Sequence, residues 1–376
     1  MLNSIEFKLG ELFSGPGGLA LGATRSHYST SDMTYTINHC WANDYDADSC
    51  TTYRANICPD SPETVICSDV KNLDIASLPS IDGFAYGFPC NDFSIVGDRK
   101  GIHGEFGPLY SYGIQVLDHH HPRFFVAENV GGLASTNEGL LFARILEELR
   151  YAGKGYTLTA HLYKSEHYGI PQTRHRIIIV GIRSDQHLKF RVPAPTHFNN
   201  PVTSGMALLE SPIPSDAPNH EITKQSSIVQ ERLRYIKPGE NVWNAQIPPH
   251  LQLNVKGTKL SQIYKRLDPS KPSYTITGSG GGGTHGYHWE EHRALTNRER
   301  ARLQTFPDDF IFSGSKESIR KQIGMAVPPL LSTVIFTHIL KTFAGVEYPC
   351  ISPSISLQQS NHEYNLFTST TQSEHV

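Results

Sequence analysis

Through residues 1–192 short apolar runs alternate with helical patterns, and few folds accommodate that order. The apolar runs predict strands over 6–13, 35–42, 64–67, 81–88, 122–127, 156–163 and 176–182. Helical patterns fall between them, over 18–25, 46–54, 109–120 and 139–152. That alternation predicts an α/β fold with a doubly wound, mostly parallel sheet. Near Pro193 the texture breaks. Pro193, Pro195, Pro201, Pro212, Pro214 and Pro218 crowd a stretch without periodicity, so a smaller, irregular second domain is expected over 193–290. Residues 291–317 read as a hinge or return segment, and the helical pattern from Ile319 to Ala344 carries enough apolar residues to dock on the first domain, which 318–346 would complete. After Pro349 the tail, 347–376, is polar and reads as frayed.

Composition narrows the class. At 376 residues and 38% apolar content the chain can bury one large core and a smaller one. The absence of a long apolar run and of a charged-then-apolar start predicts a cytoplasmic protein with no membrane span. Six cysteines without a C-x-x-C pair argue against structural zinc and against disulfides. The run His119-His120-His121 shares no face of a helix or strand, so no metal site is expected there, only a loop ahead of the strand at Phe124. A formal charge of −3 does not exclude a nucleic-acid partner, because what counts is where the charges lie. Basic residues collect at Arg99-Lys100, at Arg174-His175-Arg176, at Lys256, Lys259, Lys265 and Arg266, and at Arg293, Arg298, Arg300 and Arg302. Such clusters either follow a phosphate backbone or form ordinary solvated faces. Residues 278–283, Gly-Ser-Gly-Gly-Gly-Gly, suit a hinge or a loop pressed close to a ligand, or a plain linker.

Four segments carry candidate chemistry. Leu12-Phe13-Ser14-Gly15-Pro16-Gly17-Gly18-Leu19 joins a strand to a helix through glycines, the entrance of a nucleotide-binding unit or an ordinary turn. Asp44 and Asp69 end the next two strands, placed to accept from ribose hydroxyls and an adenine amine, and Tyr45 could lie flat on the adenine ring; solvated strand-end acids are the alternative. Cys90, in Gly87-Phe88-Pro89-Cys90-Asn91-Asp92-Phe93-Ser94, sits on a tight loop after a buried strand and is either a structural cysteine or a nucleophile held as thiolate. Glu128, in Phe124-Phe125-Val126-Ala127-Glu128-Asn129-Val130, is a candidate proton donor or hydrogen-bonding acid at a strand end.

Taken in order, these segments resemble the cytosine-5 DNA methyltransferase family. The glycine turn resembles its cofactor loop, Gly87 to Ser94 its Pro-Cys nucleophile loop, and Glu128-Asn129-Val130 its Glu-Asn-Val motif. Gln172-Thr173-Arg174-His175-Arg176 resembles its Gln-x-Arg-x-Arg motif. Arg293 to Glu299, with Leu303-Gln304-Thr305-Phe306-Pro307, resembles the segment that organises target recognition, and Gln322 to Pro329 the final motif. The likeness spans roughly residues 5 to 345. It departs at Asn91, where the family usually has Gln, and at Met325, where it usually has Asn.

The resemblance implies a Rossmann-like, S-adenosyl-L-methionine-dependent enzyme acting on double-stranded DNA, with 193–290 as target-recognition domain. It implies catalytic roles for Cys90, Glu128, Arg174 and Arg176, and no metal. Phe13, Ser14, Gly15, Gly17, Gly18, Leu19, Asp44, Tyr45, Asp69, Val70, Pro89, Met325 and Ala326 would bind the cofactor. With no large regulatory region, the chain reads as a monomeric modification enzyme, the methylating half of a restriction–modification pair. The rival readings are an RNA cytosine-5 methyltransferase, a catalytically inactive DNA-binding relative, and a nicotinamide-dependent dehydrogenase. The last leaves Cys90, Glu128 and the Gln-x-Arg-x-Arg motif unexplained.

Overall fold

A computed structural model of the chain describes residues 3–88, 109–130, 139–254, 260–278, 283–355, 359–360 and 363–364. Pro89, Cys90, Asn91, Arg99, Lys100, Lys256 and Lys259 lie outside the described residues. Residues 3–183 carry a mixed eight-stranded sheet. Its strands are β1 (Asn3–Leu12), β2 (His27–Ser29), β3 (Met33–Asp44), β4 (Val65–Cys67), β5 (Gly83–Gly87), β6 (Phe124–Val130), β7 (Tyr156–Lys164) and, after the two-residue β8 (Gln172–Thr173) outside this sheet, β9 (His175–Arg183). Helices α1 (Gly18–Thr24), α2 (Ala47–Asn56), α3 (Tyr110–His120) and α4 (Gly139–Tyr151) alternate with the strands.

The sheet runs β2-β3-β1-β5-β6-β9-β7, with β4 also on β3. Parallel pairing holds from β4 and β3 through β1 and β5 to β6. Because β3 and β5 leave β1 in opposite directions, the carboxyl ends of these strands open a crevice at the switch point. Strand β9 enters antiparallel between β6 and β7. The β7–β9 connection, residues 165–174, holds no crossover helix, so β9 can only return antiparallel.

Side-chain alternation divides the core. Phe124 and Val126 face one layer with Phe7, Val180 and Phe336; Phe125 and Ala127 face the other with Ile145, Leu149 and Ile179. The long C-terminal helical pattern is two helices, α8 (Lys316–Met325) and α9 (Pro329–Phe343), split where Pro328 and Pro329 withhold backbone donors. Residues 316–343 match a membrane span in length and composition, yet Ile335, Phe336, Ile339 and Leu340 are core residues beneath the sheet.

The irregular stretch contains α5 (Ser204–Leu209) and α6 (Ser227–Arg234) and its own apolar cluster around Leu233, Ile236, Val242, Ile263 and Tyr287. Helix α7 (Asn297–Leu303) starts in a capping box made by Thr296 and Glu299. Two expectations are corrected here. His119 and His120 close helix α3 rather than forming a loop, and His121 caps it in the left-handed conformation. The tail is fastened as far as Ile355: Ser354 Oγ accepts from Leu162 N (2.8 Å), His161 Nδ1 accepts from Ser354 N (2.9 Å), and Ile355 is buried. An edge strand has backbone donors to satisfy, and the tail meets one of those of β7, Leu162 N.

A third correction concerns charge. Arg298 and Arg266 are buried and donate to backbone carbonyls, Arg298 to Pro218 and Pro307 (both 2.8 Å) and Arg266 to Leu233 and His288 (both 2.8 Å). Arg300 donates to Leu295 O, Arg293 pairs with Glu299 and Glu291, and Arg302 with Asp308. The cluster at 293–302 braces the fold and is not a phosphate-tracking face. Arginine serves here because one guanidinium satisfies several carbonyls.

Candidate active site

The glycine turn after β1 is built to leave space. Phe13, Gly15 and Gly17 all have positive φ (54°, 53° and 95°), a conformation that costs Phe13 more than the glycines. A side chain at Gly15 would meet nothing within 4 Å, so the loop borders an open cradle. The buried hydroxyl of Ser14 has no hydrogen-bond partner among the described residues. On the far side, a Cβ at Gly18 would lie 2.4 Å from Val327 O, and Ser332 Oγ donates to Leu19 O at 2.6 Å. The loop 13–19 and the segment 325–327 therefore share one wall, though they are distant in sequence.

Asp44 holds this loop. Its carboxylate accepts from Gly15 N (2.8 Å) and Asp46 N (2.9 Å), while burial pushes its pKa above the ordinary range against those two donors. Tyr45 next to it is 68% exposed, and the Lys321 ammonium stands 5.8 Å from its ring centre while pairing with Asp46 at 3.4 Å. Asp69 is exposed and caps a short turn by accepting from Lys71 N (3.0 Å), with Val70 buried behind it. Met325 is 62% exposed at the other rim, and Ala326 is buried. Under the loop lies Glu11, fully buried and hydrogen-bonded by Tyr53 (3.1 Å); desolvation raises its pKa to about 8.

The second half of the site stands at the end of β6. Arg176 Nε lies 2.8 Å from Glu128 Oε1, and both side chains are nearly nine-tenths buried. Glu128 also abuts β5, since a Cβ at Gly87 would sit 3.1 Å from its Oε2. Asn129 Nδ2 donates to Phe88 O (3.0 Å), fixing the residue from which the Pro-Cys loop departs. Arg174 does not face the crevice. It is buried and donates to Ile276 O (3.0 Å), Gly324 O and Ala326 O (2.9 Å each), and burial, then the charge of Arg176, draws its pKa down to about 9. Arg174 positions, and Arg176 reaches.

Two groups of residues, 13–19 with 325–327 and 128 with 176, thus flank one crevice, and the comparisons with known proteins match over the same span. The model of the C-5 cytosine-specific DNA methylase family matches residues 7–341. The chain belongs to that family. It is 58% identical over 355 residues to the Type II methyltransferase M.BbvI of Brevibacillus brevis, covering 93% of this chain and 94% of that protein. It is 39% identical over 346 residues to the Type II methyltransferase M.NgoFVII of Neisseria gonorrhoeae, covering 90% and 87%. A solved protein encoded within an E. coli prophage shares the fold at a TM-score of 0.69 and 24% identity, over 90% of this chain and 99% of that one. The protein is a DNA (cytosine-5-)-methyltransferase of the bacterial restriction–modification type.

For a methyltransferase of this family, the cradle beside Gly15 and the Ser14 hydroxyl, without a partner among the described residues, fit an amino-acid-bearing cofactor. Sequence reasoning assigned no role to Asn129, Lys321, Gln172 or Gln304. Three of the four stand inside segments matched to family motifs, so the signal was present; only coordinates reveal which atoms they hold.

Proposed function

We propose that this enzyme methylates C5 of a cytosine flipped out of double-stranded DNA through a covalent bond between Cys90 and C6, as the modification partner of an endonuclease of the same specificity. The observation that carries the reading is the Glu128–Arg176 pair at the crevice, one residue from the Asn129 that anchors the Pro-Cys loop.

Cytosine C5 is a weak nucleophile. Adding the Cys90 thiolate forms a sulfur–C6 bond and moves the ring's electron pair to C5, as in an enamine. Glu128 holds or protonates N3 and accepts from the 4-amino group, which draws charge off the ring as the adduct forms. Arg176 donates to O2 while its Nε keeps Glu128 in place, and Arg174 fixes the strand that presents Arg176. S-adenosyl-L-methionine, when bound, supplies an electrophilic methyl group. Ser14 and the Gly15–Gly18 backbone would hold its amino-acid end, Asp44 the ribose, Tyr45 and Asp69 the adenine, with Phe13, Leu19, Val70, Pro89, Met325 and Ala326 lining the pocket. With the methyl group on C5, transfer of the C5 proton to a base such as water returns the electron pair to the ring and expels the thiolate by elimination.

C6 is stacked inside a duplex, so the base must leave the helix at a cost of about a few kcal/mol. Residues 193–290 would read major-groove edges and hold the opened duplex. The enzyme would act as a cytoplasmic monomer on host DNA. Bisulfite sequencing of DNA from a host expressing the protein tests this directly: a single protected sequence context is expected. Unprotected DNA from cells containing folded protein would overturn it, and RNA-only protection would replace DNA as substrate.

A further inference from the structure

Four segments distant in sequence meet at one buried polar junction. Gln172, on β8, accepts from Ile276 N at its Oε1 (2.9 Å) and donates from Nε2 to Gln304 Oε1 (2.5 Å) and Leu303 O (3.2 Å). Gln304 donates onward to Ala326 O (2.7 Å) and Ile323 O (3.1 Å). Both amides are fully buried. The last carbonyls of a helix have no partner within it. At the end of α8 those carbonyls are met by Gln304 and Arg174, side chains brought from outside the helix.

Three of them lead to different parts of the site. Four residues beyond Gln172 is Arg176, beside Glu128. Residues 325–327 form the wall behind the glycine turn. Ile276 leads into the glycine-rich stretch at the end of the recognition region. Contact between the last two is close: a Cβ at Gly324 would lie 2.0 Å from Gly278 N. These three are fastened to one another through Gln172, Gln304 and direct contact. An amide is the group suited to position 304, because one end must donate toward α8 while the other accepts from β8.

We propose that the Gln172–Gln304 amide pair is a positioning element that couples the cofactor-binding segment to the DNA-facing segments, so that cofactor and duplex each tighten the binding of the other. The proposal rests on the function assigned above. Such coupling is reciprocal, and it is a property of the link rather than of either site.

The test measures binding of S-adenosylhomocysteine by calorimetry, alone and with a saturating short duplex bearing the site mapped by bisulfite sequencing. Duplex affinity is measured by anisotropy with and without S-adenosylhomocysteine. The native enzyme should show each ligand tightening the other at least about fivefold. Gln304→Met removes all three bonds, and Gln304→Glu keeps the acceptor toward Gln172 while losing both donors. In each, the ratio should fall below about twofold, with each ligand alone bound near the native affinity. A native ratio near one, or native coupling in a folded variant, overturns the proposal. So does loss of folding in both variants, which would make the pair a purely structural brace. Failure of the native enzyme to bind either ligand instead sinks the functional reading.

Discussion

Arg176 reaches Glu128 diagonally across the β6–β9 pair, where Val130 is opposite Arg176 and Glu128 opposite Ile178. This relationship depends on β9 running against its neighbours. In an antiparallel strand the first residues lie at the carboxyl edge of the parallel sheet, so the start of β9 delivers a cation to the crevice. A parallel strand would have carried Arg176 to the opposite edge.

Glu128→Gln should lower the single-turnover methylation rate by about 100-fold or more, since the amide keeps hydrogen bonding but cannot give N3 a proton. Duplex binding should persist. A near-native rate measured by rapid quench would remove Glu128 from the chemistry.

Duplex carrying 5-fluorocytosine at the target should become covalently attached, because fluorine cannot leave as a cation and elimination stalls. Mass spectrometry should find the adduct on the peptide containing Cys90, and Cys90→Ser should abolish both trapping and methylation. Attachment to another cysteine would displace the central assignment.

Asp44→Ala and Asp69→Ala should both weaken S-adenosyl-L-methionine binding, each by on the order of 1–3 kcal/mol where the lost acceptor is buried. Asp44 should cost more, because it also fastens Gly15 and Asp46 whereas Asp69 caps an exposed turn. Calorimetry showing native affinity in both would put the cofactor elsewhere.

Glu11 gives the molecule a pH dependence. Its folded value, about 8, lies above the ordinary 4.5, so the folded state holds the proton more tightly. The stability this contributes is complete below about pH 4.5 and is lost as pH rises through about 8. Its neighbours are Tyr53, which donates to it, Asp44, and His39, which touches Tyr53 and which burial lowers to about 4. Glu11→Gln cannot ionise and still accepts from Tyr53. Its melting temperature should fall less than that of the native protein across that window; parallel curves would show Glu11 ionised in the fold.

Much of this was legible beforehand because it depends on local pattern. The strand expected at 156–163 is Tyr156–Lys164, and the helix expected at 109–120 is Tyr110–His120. Sheet direction at β9 was not legible, since it depends on what lies between strands rather than within them. Charge is visible in sequence and burial is not, so the arginines at 293–302 suggest an exposed face, phosphate-tracking or solvated, where the fold buries or half-buries them. The carbonyl partners of Arg298 at Pro218 and Pro307 are set by tertiary folding alone. Gln304 stands in a legible motif, but its partners at the end of α8 are not legible.

Replacing residues 193–290 with the corresponding region of a relative should transfer sequence preference while the product remains 5-methylcytosine. Base edges must be read by side chains on a dedicated surface, and phosphate contacts alone carry no direct sequence information. The region has its own apolar cluster at Leu233, Ile236, Val242 and Ile263, while Leu208, Leu267, Ile276 and Trp289 pack against Leu295, Leu303 and Phe306 outside it, so a graft must match that apolar seam as well. Its seams are also known. Ser273 and Tyr274 pair with Gln172 and Thr173, Ile276 meets both Gln172 and Arg174, and Arg298 grips Pro218. A graft that keeps 273–278 and a carbonyl at 218 should therefore fold, and bisulfite sequencing should report the donor's site. A folded, active chimera that still methylates the original site would place recognition in the catalytic domain and defeat this division of labour.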